Sequence, residues 1–322
     1  MPVQLKLGMA TRDAYGMALV ELGKQDPNIV VLDADLSKST KTEAFGKAFP
    51  DRFFNVGIAE ANLVGIASGL AYSGKTPFIS SFACFVVCKG YDQLRMSVAF
   101  PELNVKVVAS HGGISVGEDG ASQQSIEDLA LATSLPNFVV MIPADEVAAS
   151  ALVEQAARHT GPVFIRTGRP KAPLVYERNA TFKIGKGNVL REGRDVTIIA
   201  IGLLVFQALV AADRLAEQGI GAAVIDCHTV KPIDRDLIRT QAQVTGALVV
   251  CEEHQIYGGL GSVVARVVAQ ETPVPMEFIA IRDTYAESGM PDELFERYGL
   301  SASHIVQAVE RVLARKRTKG SI

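Results

Sequence analysis

Residues 53–80 read FFNVGIAEANLVGIASGLAYSGKTPFIS. The stretch opens on a short apolar run, 53–56, that extends as a strand and turns at Gly57. Over 60–72 it continues in small and apolar residues with Glu60 as the sole charge. This is the composition of a buried helix opened by an acid at its positive end. It closes on a second strand-like run, 76–80. Strand, helix and strand in one sheet make a parallel pair joined by a right-handed crossover. The pattern repeats outward. In the first half further strands are expected over 29–32, 105–109, 138–142 and 163–165, with helices over 124–134 and 146–159. In the second half strands are expected over 196–201, 222–225, 247–251 and 276–279, and helices over 204–218, 260–269 and 302–314. Such alternation predicts an α/β protein of two doubly wound parallel-sheet domains. Residues 167–187, TGRPKAPLVYERNATFKIGKG, are rich in Gly, Pro and Lys and suit a connection between them. The expected division is 1–168, a linker at 169–187, and 188–322.

The length of 322 residues fits about two domains. Net charge is −3, which is no footprint for nucleic acid. The basic cluster Arg315, Lys316, Arg317 and Lys319 is expected to be a solvated helix end. Residues 196–212 carry no charge, but Gly202 and Gln207 interrupt them, and strand, turn and helix fit better than a membrane span. MPVQLKLGMATRD has no signal-peptide apolar region. Cys84, Cys88, Cys227 and Cys251 lack metal-site spacing and are expected to be buried free thiols. Together these features suggest a cytoplasmic protein with neither a nucleic-acid nor a membrane partner.

Chemistry concentrates at the ends of the expected strands, where open parallel sheets bind ligands. Glu60 follows one strand. On spacing alone it is equally an ordinary first-turn acid. Phe82 and Phe85 lie three apart after the next strand, so they share a helix face, as core packing or as rings gripping a flat heterocycle. HGGISVGEDGASQQSIED, 111–128, follows 105–109 and is a flexible turn or a loop that brings His111 and backbone N–H groups to a ligand. It has neither the P-loop nor the dinucleotide glycine spacing. Ala10-Thr11-Arg12, the turn 33–39 and Arg166-Thr-Gly-Arg169 also fall at element ends, as surface ion pairs or as holders of an anionic group such as phosphate.

In this order the segments resemble the C-terminal half of transketolase, and the whole chain resembles the C-terminal subunit of a split transketolase. VGIAEANLVGIASGLA, SFACF and SHGGISVGEDGASQQSIEDLAL carry the first part of the likeness; VIDCHTVKPID, VVCEEHQIYGGLGS and IRDTYAESG carry the second. The resemblance implies a pyrimidine-binding domain, a Rossmann-like C-terminal domain and thiamine diphosphate as cofactor. It implies that Glu60 hydrogen-bonds the aminopyrimidine ring nitrogen and so activates the thiazolium. Phe82 and Phe85 would stack on or flank that ring, with Asp35 and Cys88 as pocket neighbours. Asp119 would bind a substrate hydroxyl, and Arg12, Ser39, His111 and Arg169 the terminal phosphate of a sugar, with Gln123 and Arg166 nearby. No metal ligand is expected in this chain.

The diphosphate segment of that family begins with GDG, a tripeptide absent here. The resemblance therefore implies an N-terminal transketolase partner subunit that holds the diphosphate and Mg²⁺. The expected assembly is a heterotetramer of two copies of each subunit, acting on sugar phosphates. Gln123 stands where the family loop usually has His, and Cys88 where the pocket often has Tyr. Gln donates a hydrogen bond but cannot carry charge near neutral pH. Three other readings remain open at this point: a 1-deoxyxylulose-5-phosphate synthase-like subunit, a 2-oxoacid dehydrogenase beta-type subunit, and a non-catalytic two-domain scaffold.

Overall fold

The central strands are buried along their whole length, IVVLD at Ile29–Asp33, KVVAS at Lys106–Ser110 and VTIIA at Val196–Ala200 among them. Unbroken runs of this kind mark parallel strands covered on both faces. The computed structural model describes residues 4–319. Its strands are β1 (Leu7–Ala10), β2 (Ile29–Asp33), β3 (Phe53–Asn55), β4 (Thr76–Phe82), β5 (Lys106–Ser110), β6 (Val139–Met141) and β7 (Val163–Arg166). They continue with β8 (Lys171–Pro173), β9 (Asn188–Arg191), β10 (Val196–Ala200), β11 (Ala222–Asp226), β12 (Thr229–Lys231), β13 (Leu248–Gln255) and β14 (Met276–Ile281).

One sheet has the order β12-β6-β7-β5-β4-β2-β3, the other β14-β13-β10-β11-β9. The α/β class and the two doubly wound sheets agree with expectation. Each sheet also carries an antiparallel edge strand that no apolar run announced: β9 on β11, and β12 on β6. Strand β12 comes from the second half of the chain and completes the sheet of the first. One apolar cluster accordingly runs from Ile79, Val107 and Val140 to Ile199, Ile225 and Leu248.

The segment between the halves is pinned down. Strand β8 pairs with β1. Asp145 caps the helix Glu146–Arg158 through Ala148 N–H at 2.9 Å, and its other oxygen takes the N–H groups of Val175 and Tyr176 at 2.9 and 3.0 Å. Tyr176 then donates its hydroxyl to Asp226 Oδ2 at 2.6 Å. One carboxylate thus serves a helix cap and a strap, which locks a Gly- and Pro-rich segment.

Three expectations change. The helix expected over 124–134 begins at Asp128, because Gln124 is spent on the loop before it, donating to Ile114 O and Gly117 O at 3.3 and 3.4 Å. Of the thiols only Cys227 and Cys251 are buried; Cys84 is partly exposed and Cys88 exposed, on the open side of the helix Ala83–Lys89. The basic end is not simply solvated: Lys316 donates to Asp195 O and Thr245 O at 3.1 and 2.6 Å, and Arg315 pairs with Glu277 at 3.1 Å. The Lys319 side chain and residues 1–3 and 320–322, which include both ends of the expected division, lie outside the described residues. Among the described residues no helix is long and apolar enough to cross a membrane.

Candidate active site

The chain leaves β2 on one side toward β3 and returns on the other side as β4, so the strand order reverses between β2 and β4. Loops diverge at such a point and leave a crevice at the C-terminal strand ends. The register lines these ends up: Asp33 lies beside Asn55 and Ser80, Phe82 beside Ser110, and Ala109 beside Arg166. Every residue expected to act on a ligand lies near one of these ends or on the loops that follow them.

Glu60 is the first residue of the helix Glu60–Tyr72 and is 3% exposed. The helix dipole favours its charge there. Ser81 Oγ donates to Glu60 Oε1 at 3.3 Å; among the described residues Oε2 takes no hydrogen bond. Next along the chain, Phe82 is buried and stacks on Phe85 at a centroid distance of 5.5 Å and 17°. Two stacking distances of about 3.5 Å each do not fit in that gap. The rings therefore do not grip a third between them; they form a wall that a flat group can only flank. The ammonium of Lys89 lies 4.5 Å from the Phe85 centroid.

Phe82 also stacks on His111, with centroids 3.7 Å apart and planes at 21°. His111 is buried, with φ 61. Its Nε2 lies 3.2 Å from Arg12 Nη1 and its Nδ1 2.8 Å from Ser110 Oγ. A guanidinium only donates, so Nε2 accepts and the proton sits on Nδ1. Burial, with Arg12, Arg169 and Lys41 adding repulsion, pushes the imidazole down to about 3. It is neutral at physiological pH.

Arg12 also donates to Ser39 O at 3.0 Å, so Ser39 contributes its carbonyl. Arg12 Nε is buried and has no partner among the described residues. Burial holds the guanidinium below its ordinary value; Asp13 and Asp119 oppose this and Arg169 reinforces it. Arg169 donates to Val116 O at 2.8 Å and Glu118 at 2.7 Å. Asp119 is exposed beside this group on the turn Ile114–Asp119. Positive φ at Gly117 and Gly120 lets that turn fold back.

The structure joins Phe85, Phe82, His111, Arg12 and Ser39 in one run of contacts, with Arg169 and Asp119 close enough to act on Arg12 electrostatically, and Glu60 is hydrogen-bonded by Ser81, the residue before Phe82. Asp35, exposed with φ 65, lies at the rim and exchanges two hydrogen bonds with Asn55 at 3.0 and 3.1 Å. Cys88 is on the rim too, its thiol 3.6 Å from Glu127 and pushed up to about 11, chiefly by burial. Gln123 is half-buried; its carbonyl accepts from Cys84 at 3.4 Å and its side-chain oxygen from Ser122 at 2.5 Å. Arg166 is not brought into the run. It is 4% exposed and donates to Asp128 at 3.3 Å and Glu253 O at 3.1 Å. Sequence reasoning missed Ser81, Ser110 and Asn55 as partners, although each is adjacent to or within a quoted motif. It also missed Glu253, although that residue lies within the quoted segment VVCEEHQIYGGLGS.

The arrangement can hold a protonated ring nitrogen at a buried carboxylate, flank an aromatic ring and take an anion at two guanidinium groups. Residues 8–174 match the family described as "Transketolase, pyrimidine binding domain", and residues 185–305 match "Transketolase, C-terminal domain". The chain belongs to the transketolase family. Within it, the chain corresponds to the C-terminal subunit of a split transketolase. A putative transketolase C-terminal section from Methanocaldococcus jannaschii is 45% identical over 301 residues, 92% of this chain and 94% of that protein. The 6-deoxy-6-sulfo-D-fructose transketolase subunit SqwH of Clostridium sp. is 42% identical over 305 residues, 95% of each. The solved structure titled "Split gene transketolase, inactive beta4 tetramer" is 51% identical with a TM-score of 0.90, covering 96% of this chain and all of that one, 100%. Members of this family depend on thiamine diphosphate.

Proposed function

We propose that this chain, joined to an N-terminal transketolase subunit, is a transferase that moves a two-carbon ketol unit from a ketose phosphate to an aldose acceptor. The observation that carries the reading is the run from Phe82 through His111 to Arg12, which starts one residue after Ser81, the hydrogen-bond partner of the buried Glu60. The residues fit the pyrimidine end of thiamine diphosphate: a buried carboxylate with one open oxygen is held by Ser81, the residue before the first ring of the Phe82–Phe85 pair. When bound, the cofactor supplies an electron sink for the broken carbon–carbon bond.

Glu60 accepts the hydrogen bond of a ring N–H at Oε2, with Ser81 fixing the other oxygen. Phe82 and Phe85 exclude water from one flank. Arg12 and the half-exposed Arg169 offer their guanidinium groups to a terminal anion. Asp119 accepts from a substrate hydroxyl. The partner subunit holds the diphosphate and Mg²⁺, and two copies of each subunit make the active assembly. The likeness to a beta4 tetramer titled inactive supports self-association of this chain without its partner.

The test is a reconstituted complex assayed with xylulose 5-phosphate and ribose 5-phosphate, and in parallel with pyruvate and a lipoyl acceptor. Two-carbon transfer between the sugars is expected. Activity confined to pyruvate would overturn the reading. A guanidinium pair also recognises a sulfonate, and the Clostridium relative is named for such a sugar, so 6-deoxy-6-sulfofructose belongs in the donor series.

A further inference from the structure

The loop after β5 carries His111 and Asp119, yet much of what holds it comes from the second half of the chain. Glu253, near the end of β13 and 3% exposed, accepts Ser115 N–H at its Oε1 at 2.5 Å. A Cβ on Gly113, whose φ is +82, would sit 2.2 Å from the Glu253 carboxyl carbon. Only a residue without a side chain allows the carboxylate this close to the loop. The carbonyl of Glu253 takes Arg166 at 3.1 Å, and the Arg166 stem lies under Gly112, where a Cβ would be 2.1 Å from Cδ. Farther along, Gln124 donates to Glu287 O at 3.0 Å, and a Cβ on Gly120 would be 2.6 Å from Ser288 Oγ.

We propose that Glu253 is a positioning residue for the sugar transfer: its carboxylate, delivered from the second sheet, sets the loop that presents His111 and Asp119. This rests on the function proposed above and gives the second domain a part in it. Glu253 touches neither Glu60 nor the Phe82–Phe85 wall in any of its hydrogen bonds. Its loss therefore acts on the sugar and spares the cofactor.

The test uses the reconstituted complex with Glu253→Ala, Glu253→Gln, Gly113→Ala and the Ala–Ala double variant. Four quantities are read: KM for the donor sugar, kcat, thiamine diphosphate affinity and amide hydrogen exchange over 111–120. Glu253→Ala leaves Ser115 N–H without its acceptor and is expected to raise KM about tenfold or more, with cofactor affinity unchanged. Glu253→Gln keeps an oxygen for that N–H and restores KM. Gly113→Ala disturbs the same contact from the loop side, so its effect and that of Glu253→Ala do not add. An unchanged KM in Glu253→Ala overturns the proposal. So do additive effects, and so does a joint loss of cofactor affinity that Gln does not rescue. If Glu253→Ala fails to assemble, Gly113→Ala decides: a raised KM with intact cofactor affinity supports the proposal and an unchanged KM overturns it. If the wild-type complex transfers no two-carbon unit, the functional reading fails. Hydrogen exchange still reports on the latch, and retained protection over 111–120 in Glu253→Ala overturns it.

Discussion

The Phe82 ring lies on the His111 imidazole, 3.7 Å between centroids. The pairing of Phe82 with Ser110 across β4 and β5 sets this contact. The Phe82–Phe85 wall and the anion-facing cluster at Arg12 are therefore one structure that shares the Phe82 ring. The two sides are separated by variants of the residues at their ends.

Glu60→Ala removes the carboxylate from the buried end of this structure and leaves Arg12, His111 and Arg169 in place. Turnover by the reconstituted complex is expected to vanish under saturating sugar. Near-normal kcat would refute the role of Glu60.

Arg12→Ala acts at the other end. It deletes a charge-assisted hydrogen bond to a terminal anion, worth about 1.5–3 kcal/mol or ~10–150-fold. The loss should appear in KM for the phosphorylated sugar, with kcat less affected. Steady-state kinetics that show a kcat loss at unchanged KM would place Arg12 elsewhere in the reaction.

Asp226 gives a pH signature of stability. Burial pushes its carboxyl up to about 7, the Tyr176 hydroxyl pulls it down and Asp145 raises it further. In the unfolded chain such a group titrates near ~3.9. The folded state thus binds the proton more tightly. Its contribution is fully present below about pH 4 and is lost as pH rises through about 7. Asp226→Asn keeps an acceptor for Tyr176 and removes the titration. The melting temperature of the Asn variant relative to wild type should rise between pH 5 and pH 9. A flat or falling difference contradicts this.

Lys106, at the start of β5, is fully buried, and its ammonium donates to Asn104 Oδ1, His159 O and Gly161 O at 2.6, 2.6 and 2.7 Å. Three donors meet three acceptors, so Lys106→Met leaves buried carbonyls unmatched. A loss of about 2–4 kcal/mol is expected in denaturant unfolding. The site lies at the opposite end of the strand, so KM for the sugar should not change.

Strands such as β2, β5 and β10 were legible because burial on both faces leaves short runs dominated by apolar β-branched residues, and the helix Glu60–Tyr72 because an acid opens a stretch of small residues. The edge strands β9 and β12 were not, since each is short and exists only through a partner far away in the chain. Arg166 looked like an anion holder because a cation after a strand end has two possible fates. Asp128 and the carbonyl of Glu253, both from elsewhere in the chain, decide for the buried one. Glu253 lies among Glu252, His254 and Gln255 at the polar end of its strand, and only the approach of Gly113 and Ser115 from the other domain reveals its use.

The central claim is that Glu60 and the Phe82–Phe85 wall are one half of a cofactor site whose other half belongs to another chain. Titration calorimetry of thiamine diphosphate with Mg²⁺ tests it most directly, first with this chain alone and then with the N-terminal subunit present. The account predicts binding only to the two-subunit complex, and none there when Glu60→Ala replaces the wild-type chain. Tight binding by the isolated chain would contradict it.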